Sequence, residues 1–184
     1  SGCASARRLA QVGGESRRHP ARAVRAYSRI VATARLLEHH PLLARVGPDH
    51  LNRIAKAGEL ETFHAGEVVV TEGSLGDALY LVLTGEVEVS KAGHPLARLA
   101  AGNFFGEMAL VEPAPRSATV TASASSFLFR LPYLELQQLL RHDPRAGSAL
   151  LVEVVKTLSE RLREANRMVS SVGELADWLA GSLV

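Results

Sequence analysis

The apolar positions change period twice along the chain. Between Pro20 and Pro41 they recur at helical spacing, with Val24, Tyr27, Val31 and Ala34 on one stripe and Arg22, Arg25 and Arg29 off it. Pro20 stands in the first turn, where a missing N–H is harmless, and Pro41 ends the segment. A second short helix is expected over Pro48–Ala57. The pattern then becomes strand-like, with β-rich segments at 67–71, 79–83, 87–89, 119–121 and 127–129. Gly66, Gly73, Gly76, Gly85, Gly93, Gly102 and Gly106 place seven of the 15 glycines between these segments. Short strands with turns every eight to twelve residues or so predict a sandwich, jelly roll or small barrel. Helical spacing returns at 133–141, and Asp143 followed by Pro144 reads as the cap and first position of another helix. Leu151, Val154, Val155, Leu158, Leu162, Ala165 and Val169 keep its apolar stripe. Gly173 is expected to interrupt it, leaving Leu175, Trp178 and Leu179 on a last amphipathic turn. The fold class is mainly β with flanking helices.

Composition narrows this picture. The 184 residues are 47% hydrophobic and 22% charged, as in a globular chain. No run approaches the roughly 18 apolar residues of a membrane span, so a soluble, cytoplasmic chain is expected. Cys3 is the one cysteine, which excludes an internal disulfide framework and a cysteine-built zinc site. The net charge of +2 is unevenly spread. Residues 1–50 carry nine Arg against three acids, or +6, whereas residues 51–184 carry 12 basic and 16 acidic residues, or −4. Any attraction to nucleic acid or membrane therefore belongs to the first quarter. Its apolar face is too rich in Ala to bind lipid well, so a docking helix with solvated Arg is the preferred reading over a targeting or membrane-surface helix. The chain begins at Ser1 rather than Met, as a fragment or processed product would. Three stretches result: 1–40, an Arg-rich helical extension; 41–145, the β-roll; and 146–184, a C-terminal helix and tail.

Chemistry concentrates in residues 105–120, which read Phe-Gly-Glu-Met-Ala-Leu-Val-Glu-Pro-Ala-Pro-Arg-Ser-Ala-Thr-Val. Gly106 lets the backbone approach a ligand closely. Glu107 to Leu110 are good helix formers, so Gly106 begins a helical turn with free N–H groups that suit an anion. Arg116 adds a planar, permanently charged fork that fits phosphate. Glu107 beside an anion site makes sense where the ligand also carries hydroxyls, because a carboxylate accepts hydrogen bonds from them. Anion donors with a hydroxyl acceptor describe a sugar phosphate, and a small β-fold around it suggests a nucleotide.

Phe105-Gly106-Glu107-Met108-Ala109-Leu110 followed by Pro115-Arg116-Ser117-Ala118-Thr119-Val120 resembles the phosphate-binding cassette of cyclic nucleotide-binding domains. These domains occur in catabolite-activator-type regulators, in regulatory subunits of cyclic-AMP-dependent kinase and in cyclic-nucleotide-gated channels. The upstream run Glu72-Gly73-Ser74-Leu75-Gly76-Asp77-Ala78-Leu79-Tyr80-Leu81-Val82, then Gly85-Glu86-Val87, is similar to the family's glycine-marked early strands. The resemblance implies an eight-stranded β-roll with an N-terminal helical segment and a long C-terminal helix. It implies that Glu107 binds the ribose 2′-hydroxyl and that Arg116 pairs with the cyclic phosphate. The Met108 and Ala109 N–H groups then hold the other phosphate oxygens, Ser117 or Ala118 adds a donor, and Gly106 permits the turn. Val89 and Leu99 are candidate walls for the base, and Leu158, Arg161 and Leu162 are candidate lid residues from the last helix. Ser117 lacks the methyl of the Thr that the family associates with cyclic GMP, which favours cyclic AMP over cyclic GMP.

No residues support catalysis or a resident cofactor. There is no P-loop, serine elbow or Cys–His arrangement. His64, His94 and the pair His39-His40 lack metal-ligand spacing and are expected at surfaces or interfaces. The 12 residues from Gly173 onward are too few for the DNA-reading domain of catabolite-activator-type proteins, so no specific DNA binding is expected. The expected partners are a cyclic nucleotide, an effector protein or domain not readable from the chain, and a second copy through the C-terminal helix. That helix stripe fits equally a dimer seam and packing on its own β-roll. The alternative function is a ligand-free interaction scaffold, with Glu107 and Arg116 paired to each other.

Overall fold

A computed structural model describes residues 20–110 and 114–181, with side chains at 28–108, 110 and 114–172. Helix α1 (Pro20–Glu38), a 3-10 turn (Pro41–Leu43) and α2 (Pro48–Ala57) lead into the strands. These are β1 (Glu59–Phe63), β2 (Val68–Val70), β3 (Ala78–Thr84), β4 (Glu86–Lys91), β5 (His94–Ala100) and β6 (Phe104–Phe105). A second 3-10 turn (Glu107–Ala109) precedes β7 (Thr119–Ala122) and β8 (Ser126–Pro132), and α3 (Tyr133–His142) and α4 (Pro144–Gly181) follow. The eight strands form two antiparallel sheets, ordered β1-β8-β3-β6 and β2-β7-β4-β5. This is the expected mainly-β roll with flanking helices.

Strand β3 explains how the layers stack. It reads Ala-Leu-Tyr-Leu-Val-Leu-Thr, and its first five residues are all buried. A strand covered on both faces has no polar side to alternate with. Ala78, Tyr80 and Val82 pack inside the roll with Val87, Phe105, Val120 and Leu128. Leu79 and Leu81 face the other way, into a cluster with Phe129, Leu131, Leu136, Leu150 and the α2 residues Leu51 and Ile54. In α1, Ala34 and Leu37 join this helical core, so α1 packs on the body. Residues 1–19, including Cys3, and the side chains of Val24 and Tyr27 lie outside the described residues.

Three strands escape the sequence pattern. Strand β5 is an edge strand that contains Pro95 and is exposed almost throughout, so it has no alternation to detect. Strand β6 has only two residues. Strand β1 follows α2 after Gly58 alone, where a Cβ would stand 2.3 Å from the Phe129 ring. Gly173 does not interrupt α4, whose backbone is helical for 38 residues. One glycine weakens a helix by about 1 kcal/mol but keeps its hydrogen bonds. The side chains of Leu175, Trp178 and Leu179 lie outside the described residues.

The α4 start is built as its sequence implies. Asp143 Oδ1 accepts from the Ala146 N–H at 3.2 Å, and Oδ2 accepts from His50 and Arg53 at 3.0 and 2.5 Å. Burial alone would raise this carboxyl, but the Ala146 N–H, His50 and Arg53 outweigh it and hold it below its ordinary value.

His40 is buried, at 3% exposure, and joins α1 to the roll. Its Nε2–H donates to the Asn103 carbonyl at 3.1 Å, and its Nδ1 accepts from the Leu42 N–H at 3.2 Å. Burial lowers its pKa, and the Asn103 bond only partly opposes this. A second proton would sit on Nδ1 and displace Leu42. The unfolded chain therefore binds this proton first, and stability present above about pH 6.5 is lost as pH falls below it. Thermal unfolding from pH 8 to 5 is expected to show that loss, and His40→Gln to flatten it. A wild-type midpoint that stays level from pH 6.5 to 5 would refute the assignment. The Asp143 loss comes lower, below about pH 4, because its folded value is depressed.

Candidate ligand-binding site

Residue 116 is fixed from two directions. Its backbone N–H donates to the Ser74 carbonyl at 2.7 Å and its carbonyl accepts from the Gly73 N–H at 2.8 Å. Leu75 and Pro115 form a bridge beside these bonds. The glycine-marked loop after β2 thus straps down the arm that leads into β7. The guanidinium then turns inward. Arg116 Nη2 donates to the Ala78 carbonyl at 2.9 Å and lies 3.5 Å from Asp77 Oδ1. Tyr80 stands 5.8 Å beneath it, itself stacked on Phe105. Arg116 Nε and Nη1 are buried and have no hydrogen-bond partner among the described residues. Two buried charged donors without an acceptor are unfavourable, and they suit an anion that supplies one.

Gly106 makes room for that guanidinium. Its φ is +92°, and a Cβ there would lie 2.5 Å from Arg116 Nη1 and 2.7 Å from the Ala78 carbonyl oxygen. The left-handed residue opens the turn Glu107–Ala109, which is closed by the Leu110 N–H on the Glu107 carbonyl at 3.0 Å. The Tyr133 hydroxyl at the start of α3 donates to the Gly106 carbonyl. Burial pushes the Tyr133 phenol up, which keeps it a donor. Asp77 bonds Arg130 Nη2 at 2.6 Å. Burial by itself would lower Arg130, but Asp77 outweighs burial and pushes it up.

Gly106 and Arg116 belong to the lining of a cavity of about 480 Å³. Gly106, Glu107, Met108, Arg116, Ser117 and Ala118 form its polar end. Val70, Val89, Leu96, Ala97, Leu99 and Val120 form an apolar wall. Arg161 reaches it from α4, where its Nη2 donates to Asn103 Oδ1 at 3.3 Å and the Phe104 carbonyl at 3.1 Å. Its guanidinium lies 4.7 Å over the Phe104 ring. The cavity lining therefore combines two arginines, Arg116 and Arg161, and the carboxylate Glu107 with an apolar set.

Most of the expected positions line this cavity. Ala109 is in the turn, and its side chain lies outside the described residues. Leu158 and Leu162 do not line the cavity. Leu158 packs on the helical core, and Leu162 is 62% exposed. Each residue turns a helix by about 100°, so the neighbour of an inward Arg161 points away. Arg116 pairs with Asp77 rather than with Glu107. Asp77, Tyr80 and Tyr133 were not identified from sequence. The charged Asp77 directly before a continuous apolar strand was the available signal; the role of the Ala78 carbonyl left none. Among the described residues no three His, Cys, Asp or Glu cluster as a metal site, and no helix is long and apolar enough to cross a membrane.

Fold and cavity together define a ligand-holding β-roll. Residues 60–143 match the family model of the cyclic nucleotide-binding domain. A cAMP-dependent protein kinase regulatory subunit of Yarrowia lipolytica is 44% identical over 88 residues, 47% of this chain and 24% of that protein. The crystal structure of a cyclic nucleotide-binding domain from Methylobacillus flagellatus aligns with a TM-score of 0.67 at 27% identity, over 79% of this chain and 85% of that one. The regulatory domain of Toxoplasma gondii PKA with cAMP aligns with a TM-score of 0.61 at 26% identity, over 72% and 51%. Residues 60–143 thus carry a cyclic nucleotide-binding domain, a regulatory rather than a catalytic module. The chain spans about a quarter of the length of the curated relatives it matches.

Proposed function

We propose that the chain is a reversible cyclic AMP sensor that works without catalysis. The buried, unpartnered Nε and Nη1 of Arg116 carry this reading. A cyclic phosphate supplies their acceptor, with Met108 and Ala109 N–H groups and Ser117 or Ala118 as further donors. Glu107 accepts from the ribose 2′-hydroxyl. The base lies along Val89 and Leu99 opposite Arg161. Ser117 in place of Thr favours cyclic AMP over cyclic GMP. Asp77 beside Arg116 favours the alternative, a ligand-free scaffold, because the guanidinium already has one countercharge.

A thermal-shift panel separates these readings. Cyclic AMP at about a hundred times its Kd adds about 2.7 kcal/mol by mass action, a rise of roughly 5–10 °C for a chain of this size. Cyclic GMP is expected to need higher concentration, and linear AMP to give no comparable rise. No shift with either cyclic nucleotide would favour the scaffold, and a stronger response to cyclic GMP would reverse the ligand.

In this reading residues 41–145 are the sensor body, residues 1–40 a docking extension, and residues 146–184 a closing and pairing helix. Ligand tightens the turn Glu107–Ala109 and draws α4 over the base through Arg161. Hydrogen exchange without ligand-dependent protection at 144–170 would overturn the relay. Val155, Leu162 and Val169 recur every seven residues and are 61%, 62% and 72% exposed. That seam supports a homodimer through α4. A monomer by sedimentation at all concentrations would exclude the dimer. The effector is a separate domain or protein, and the setting is cytoplasmic.

A further inference from the structure

We propose that Met108 is a peroxide-sensitive modification site that controls affinity in the cavity, an inference that rests on the cyclic nucleotide reading above. The Met108 side chain lines the cavity and is 68% exposed, so a small oxidant reaches its sulfur. Its Sδ also accepts a hydrogen bond from Ser117 Oγ at 3.2 Å. That bond ties the turn Glu107–Ala109 to the residue next to Arg116. A thioether is a weak acceptor, so it releases the hydroxyl readily when a phosphate oxygen arrives.

Oxidation changes that balance. The sulfur lone pair attacks one oxygen of hydrogen peroxide; the S–O bond forms as the O–O bond breaks. Sulfur loses two electrons, the peroxide is reduced, and the departing hydroxide takes up the remaining proton to leave as water. The product is a polar, chiral sulfoxide with a strongly accepting oxygen. This oxygen holds the Ser117 hydroxyl and places partial negative charge at the end of the cavity that receives an anion. Both effects oppose phosphate binding at Arg116. Met168, the other methionine of the chain, is 60% exposed on α4 and does not line the cavity, so it is an internal control.

The test treats the full chain with hydrogen peroxide and then with dithiothreitol, which reverses any disulfide at Cys3 but not a sulfoxide. Peptide mass spectrometry measures sulfoxide at Met108 and Met168, and calorimetry measures cyclic AMP affinity before and after. Affinity is expected to fall about tenfold as Met108 oxidises, the loss of roughly one charge-assisted hydrogen bond. Methionine sulfoxide reductase is expected to restore it. Saturating cyclic AMP should slow oxidation of Met108 but not of Met168. Whatever the starting affinity of Met108→Leu, it should be the same after peroxide as before. Full oxidation of Met108 with unchanged affinity overturns the proposal, as does an equal peroxide-dependent loss in Met108→Leu. An untreated chain that binds no cyclic nucleotide overturns the ligand reading itself, and control by Met108 falls with it.

Discussion

Arg116→Ala is expected to remove cyclic AMP binding while the chain stays folded. Two buried donors, Nε and Nη1, are the groups left for a phosphate. Hydrogen bonds to charged groups contribute about 1.5–3 kcal/mol each, so losing both weakens binding at least about a hundredfold. The folded chain loses little by comparison. It gives up the bond to the Ala78 carbonyl and the pair with Asp77, and it is relieved of two buried unsatisfied donors. The Tyr80–Phe105 stack, with ring centroids 5.0 Å apart, does not depend on the guanidinium. Arg116→Lys should fall between, since it keeps the charge without the planar fork. Calorimetry with cyclic AMP beside thermal unfolding checks both halves. Unchanged affinity in the alanine variant would end the assignment of the phosphate site.

Gly106→Ala is expected to damage binding and stability together. At φ +92° a side chain is strained by roughly 1–2 kcal/mol, and the new Cβ meets a backbone oxygen, the Ala78 carbonyl, at 2.7 Å. It also meets Arg116 Nη1 at 2.5 Å, so the guanidinium must leave the position in which it bonds the Ala78 carbonyl. The clash with Nη1 disappears when Arg116 is absent. Gly106→Ala combined with Arg116→Ala should therefore be more stable than the sum of the single losses predicts. Strictly additive unfolding free energies would show that Gly106 serves the turn alone.

The legible parts of this chain were those with repeated local signals. Pro48 opened α2, Asp143 and Pro144 opened α4, and the glycines separated strands whose apolar content stood out. The cassette was readable because Gly106, Glu107 and Arg116 are types that packing seldom needs at that spacing. What stayed hidden depends on tertiary contact. Strand β5 is defined by pairing with β4 rather than by its own side chains. His40 has no sequence mark of burial, because its partners are the backbone of Asn103 and Leu42. On α4 the stripe gives the helix but not its rotation, and of the three candidates there it is Arg161 that lines the cavity.

Strand β3 has a mechanical consequence. Its Ala78 carbonyl anchors Arg116, and the next residue, Leu79, is part of the helical core. The distance along the strand between the two is about 3.3 Å. The partition between the ligand compartment and the helices is thus one strand thick and buried on both sides. A close-packed wall of that kind is stiff and hardly compressible. Under the proposed function, a ligand that pulls on Arg116 would pull on the floor beneath α3 and α4, and a load applied to those helices would be felt at the phosphate end without a chain of intermediaries.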